Sequence, residues 1–202
     1  MGLLALGFLG VVAGSRVAGA SSALELVRIA RAYEQARNEE LALRRYMEAL
    51  ELDPTCEEAY LGLGSLRARR GDLREADRVY SVAISHRPDM RAAYRSRAYV
   101  RRALGLRELA AQDLLFGSED DLAALRTLAT WHGEDGQIPA ALAVWRHIGV
   151  VAETTHDLVA QREAQTTVRA LVLLVGPADP AAAPSDDAGP RHLIATLARK
   201  GR

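Results

Sequence analysis

Hydrophobic and polar positions follow two patterns along this chain. Gly2 to Ala13 is an almost unbroken apolar run of about twelve residues, short of the about 20 that a membrane-spanning helix needs. From Ser22 onward the apolar residues are interrupted at helical intervals: Leu26, Ile29, Ala30 and Tyr33 share one stripe, as do Ala42, Tyr46 and Ala49. Further on, Glu153 to Val175 predicts a helix with Thr154 or Thr155 as its cap and a strongly apolar end at Val168 to Val175.

Between these ends the pattern has a fixed period. Ala42, Ala76 and Ala110 are 34 residues apart, as are Tyr46, Tyr80 and Leu114, Pro54 and Pro88, and Gly71 and Gly105. A fourth copy returns with Leu125, Leu128, Ala129, Gly136, Ala141 and Trp145, but 31 residues on. The missing three residues fall near Phe116-Gly117 and predict a shortened helix there. After them Ser118 is the expected cap of the next helix, with Glu119, Asp120 and Asp121 set against the positive end of its dipole.

The copy from Glu57 to Met90 reads Tyr60-x-x-Leu63-Gly64, then Gly71-Asp72, Ala76, Tyr80, Ala83 and Pro88. It resembles the tetratricopeptide repeat, whose pattern has an aromatic, Leu-Gly, Ala, a second aromatic and Pro at these phases. The copy from Ala23 to Cys56 keeps the phases but has Arg37-Asn38 in place of Gly-Asp. The third carries Arg97 and Arg101 where an apolar face is expected. The resemblance covers about Ser22 to Gly149. It implies an all-α, right-handed solenoid of about four helix pairs in residues 21–149, each pair burying its apolar face against the next. Residues 150–176 are then expected to form a capping helix over the last pair.

Composition narrows the function. With 26 basic against 26 acidic side chains the chain is formally neutral, so it lacks the positive excess that nucleic-acid binding draws on. A single Cys56 forms no internal disulfide, and no second Cys accompanies it toward a zinc site. Of the basic residues 25 are Arg and Lys200 is the one Lys, so any positive surface is built of guanidinium groups. No H-E-x-x-H, G-x-S-x-G or phosphate-binding Gly loop is present. The expectation is a non-enzymatic protein that needs no cofactor or metal. The alternative is an enzyme using His132, since His132-Gly133-Glu134 matches part of a deaminase signature without its cysteines.

The family's concave face is lined mainly by the first helix of each pair and commonly holds a peptide. Matching phases place Arg28, Arg31, Arg69, Arg95, Tyr99, Arg102 and Arg126 on or near it. Planar guanidinium groups pair bidentately with carboxylates, so the implied partner is an acidic peptide or chain terminus. The clamp by which some co-chaperone members hold a terminal carboxylate with Lys and Asn is not matched. Those phases hold Val27, Arg31, Gly62, Ala92 and Ser96.

The two ends carry their own expectations. Residues 1–20 end in Ala18-Gly19-Ala20, the small-residue pattern of a signal-peptidase site, which predicts export to a periplasm or cell envelope. A short helix packed on the first repeat, in a cytoplasmic protein, fits the same run. Residues 177–190 hold four of the seven prolines and predict a linker. Residues 191–202 form a basic tail with Leu193, Ile194 and Leu197 on one stripe. An exported chain of this kind is also suited to be a structural subunit of an envelope assembly, recognisable by an apolar patch left exposed.

Overall fold

The computed structural model describes residues 6–118 and 120–175, with side chains from Ser21 onward. Among the described residues there are α-helices and no strands: α1 (Leu6–Gln35), α2 (Glu39–Leu52), α3 (Glu57–Arg69), α4 (Leu73–His86), α5 (Arg91–Ala103), α6 (Arg107–Gly117), α7 (Leu122–Glu134), α8 (Ile138–Thr154) and α9 (Leu158–Val175). The predicted linker, the basic tail and Glu119 lie outside the described residues. The backbone of α1 runs through Ala20, the expected cleavage point. The chain divides into two compact units, Met1–Arg107 and Glu108–Arg202.

In the first unit each helix packs on the next, and the first helices of successive pairs also touch, α1 on α3 and α3 on α5. The period explains why. Ala30, Ala42, Ala49, Ala59, Ala76, Ala83 and Ala93 are all fully buried, and short side chains let the helix axes approach closely. Tyr46 and Tyr80, 34 residues apart, fill the remaining space and are buried in turn. The fit is close: a methyl group built on Gly64 would lie 2.5 Å from Tyr80 Cζ, and one on Gly62 would overlap the Tyr46 ring. Arg97 and Arg101 do not interrupt this core. Arg101 Nε donates to Asp77 Oδ1 at 2.8 Å and Arg97 Nη1 to Ser81 Oγ at 3.0 Å, so both guanidinium groups are met by α4.

Two kinds of connection alternate in this unit. Within a pair the chain turns through one residue of positive φ, Arg37 (57°) or Gly71 (84°), and an N–H beyond it reaches back to a carbonyl five residues earlier; Gly105 (78°) ends α5 in the same way. Between pairs the helices stop at Asp53-Pro54 and Arg87-Pro88, as the proline phases predict.

The second unit departs from the period. Helix α6 has 11 residues against 14 in α2 and α4, the shortening the missing residues predict. Ser118 is not the cap of α7. Its side chain is buried with Oγ unpartnered, and Asp121 takes the role, accepting from Ala123 N at 3.0 Å and Ala124 N at 3.2 Å. Neither Asp120 nor Asp121 falls within the first turn, which starts at Leu122. Helix α8 reaches Thr154, so neither threonine caps the next helix. Asp157 does, accepting from Val159 N and Ala160 N. The residue before it, His156, has φ 57°, and Asp157 N bonds Ala152 O at 2.9 Å. This is the turn used inside the repeat pairs, now joining α8 to α9.

Helix α9 covers α8 with two buried alanines, Ala160 and Ala164. Its outer side is polar in the middle, where Arg162, Glu163, Gln165, Thr166 and Arg169 are exposed, and apolar at both ends. Leu158, Val159, Leu173 and Leu174 are 72%, 79%, 80% and 73% exposed.

Candidate functional site

The helical pairs of the first unit leave a groove of about 710 Å³. Helices α1, α3 and α5 form its walls with Arg31, Glu34, Ser65, Arg69, Ser96 and Tyr99, and α2 and α4 supply Tyr46 and Tyr80. First helices line it because the 34-residue step sets them side by side, while the tyrosines of the second helices reach between them. Tyr99 is half exposed beside the groove.

The polar groups are arranged around Glu34. Its Oε1 accepts from the Tyr46 hydroxyl at 2.5 Å, and its Oε2 accepts from Arg69 Nη2. The Glu34 side chain is 19% exposed, less than half the value for Arg69 at 54%. Arg69 Nη1 also donates to Ser65 Oγ at 3.2 Å. Burial first, and the Glu34 carboxylate second, push the Tyr46 hydroxyl well above its ordinary value, while Arg31 opposes them. Burial likewise raises Tyr80, opposed by a hydrogen bond with Ser96 and by the charge of Arg69.

Of the seven residues the sequence placed on this surface, the structure brings Arg31, Arg69 and Tyr99 together. Arg28 instead turns to Glu25, donating from Nε to Oε2 at 2.9 Å. Arg95 and Arg102 are half-buried on α5 and are not among the lining residues. Arg126 belongs to the second unit, where Glu163 Oε2 accepts from its Nε at 2.9 Å and its Nη2 at 2.6 Å. The groove also contains an acid that the guanidinium count left out. Glu34 carries no repeat signature of its own, but its separation of 35 residues from Arg69 is one step from the period, the offset at which neighbouring first helices meet.

Other candidates lie elsewhere. His132 sits in the last turn of α7 rather than in the turn that follows, with Nδ1 2.7 Å from Gln137 Oε1. Among the described residues no group of three His, Cys, Asp or Glu is gathered for a metal ion, and no helix is long and apolar enough to cross a membrane. Cys56 is buried at the start of α3, and burial raises its thiol pKa. Trp131 is buried and Trp145 half-buried, as packing residues are. A smaller cavity of about 420 Å³ lies along α9 beside Leu158, Val159, Arg162 and Glu163.

Solved structures to which this chain is similar in fold include tetratricopeptide-repeat proteins. One from Parabacteroides merdae is 20% identical with a TM-score of 0.59, covering 75% of this chain and 60% of its own. YrrB, described as having an unusual peptide-binding site, is 19% identical with a TM-score of 0.53, covering 88% of this chain and 92% of its own. A MamA fragment from Desulfovibrio magneticus is 20% identical with a TM-score of 0.53, covering 75% and 96%. No family model matches the sequence, and no curated protein does.

Proposed function

We propose that this tetratricopeptide-repeat fold serves as a non-enzymatic scaffold whose first-unit groove holds an extended acidic segment of another protein. The observation that carries the reading is that Arg31, Arg69 and the half-exposed Tyr99 line one groove. Guanidinium groups meet carboxylates, and an exposed aromatic edge packs with apolar or aromatic side chains. YrrB, with its peptide-binding site, supports the reading by likeness of fold. The test is titration of fluorescein-labelled hexaglutamate. Arg31→Glu with Arg69→Glu should weaken binding about tenfold or more and flatten its salt dependence, whereas Arg95→Glu with Arg102→Glu should change it little. Equal binding by both double variants sinks the groove reading.

A second reading, a structural subunit of an envelope assembly in an exported protein, is favoured by the apolar residues that α9 turns outward. It expects a mature chain starting at Ser21 by mass spectrometry, and self-association in sedimentation that Leu173→Gln with Leu174→Gln abolishes. A monomer that retains residues 1–20 contradicts it.

A further inference from the structure

Glu34 sets a carboxylate of the chain itself inside the groove. Its two oxygens engage two donors of the groove, the Tyr46 hydroxyl and the Arg69 guanidinium. The buried Tyr46 hydroxyl needs an acceptor, and Glu34 supplies it from inside the chain. An incoming carboxylate that takes Arg69 must therefore displace one ion pair to make another. Its net gain is small unless it replaces both bonds at once.

We propose that Glu34 is the specificity-determining residue of this groove, an internal stand-in that only a carboxylate able to bridge Tyr46 and Arg69 displaces. The proposal rests on the groove reading above and names its ligand more narrowly. The ligand is a segment with one carboxylate at the Tyr46–Arg69 pair and a second anionic or polar group within reach of Arg31. A segment with scattered single charges would leave Glu34 in place and bind through Arg31 and Tyr99 alone.

The experiment compares the intact protein with Glu34→Gln, whose amide oxygen still accepts from Tyr46 but no longer neutralises Arg69. Hexaglutamate should bind Glu34→Gln about tenfold more tightly than the parent protein, and hexaglutamine should show no such gain. Glu34→Ala, which frees Arg69 without offering any acceptor, should shift hexaglutamate binding in the same direction, so the idea is testable even if one variant folds poorly. Hexaglutamate bound equally or more weakly by the variants overturns the Glu34 role while leaving the groove reading intact. Binding to neither the parent nor the variants overturns both.

Discussion

The two units use the same helices to different ends. In the first, the 34-residue step is kept, and buried alanines at equal phases hold successive first helices against one another until a groove opens between them. In the second, three residues are lost from α6, α8 grows to 17 residues, and α9 is attached through a turn that elsewhere closes a pair. The difference teaches that period and turn are separate instructions. The turn closes α1 on α2, α3 on α4, α7 on α8 and α8 on α9, whereas a lined groove also needs small residues at a constant step.

The largest test of that contrast is truncation of an aromatic that lines the first unit's groove. Tyr80→Ala should cost about 3–5 kcal/mol in urea unfolding, since it empties a fully packed site. Leu114→Ala, the same phase in the second unit, should cost about 2–5 kcal/mol while leaving hexaglutamate binding intact. Loss of binding in both would mean that the groove does not belong to the first unit alone.

A smaller effect appears at alkaline pH. Burial raises Tyr46, Tyr60 and Tyr80 above the ordinary tyrosine value near 10. The folded state thus holds these protons more tightly than the unfolded chain. The contribution is complete below about pH 10 and is lost as pH climbs from there through the folded-state values. The urea midpoint should fall more steeply above pH 10 in the parent protein than in Tyr80→Phe. Parallel curves would remove burial as the cause.

The smallest effect is at the turns. A side chain added at Gly71, Gly105 or Gly136 would meet nothing within 4 Å, so glycine is there for its φ and not for space. Arg37 and His156 take the same conformation at a cost that glycine avoids. Arg37→Gly should raise stability by about 0.5–1 kcal/mol, and Gly71→Ala should lower it by about as much. A destabilised Arg37→Gly would show that the arginine makes a contact worth more than the strain.

These cases mark what was legible in the sequence. The repeat pairs, their proline stops and the shortened α6 follow from phases that anyone can count. The turn at His156-Asp157 was hidden because neither residue is glycine, so α9 read as a separate helix with a threonine cap. At the groove, phase alone placed Arg28, Arg95 and Arg102 beside Arg31 and Arg69. Phase fixes which helix face a residue occupies, but a long guanidinium side chain goes to whichever carboxylate is near. Glu25 drew Arg28 away, and Glu34, lacking a repeat position of its own, took Arg69.

The single thiol of the chain has a use that follows from its burial. Cys56 stands where α2 hands over to α3, buried in the core that also holds Ala42, Ala49 and Ala59, and burial raises its thiol pKa. Alkylating reagents reach it only when that seam parts, so the rate of its modification is a stopwatch for breathing between the first two hairpins, readable without any added label.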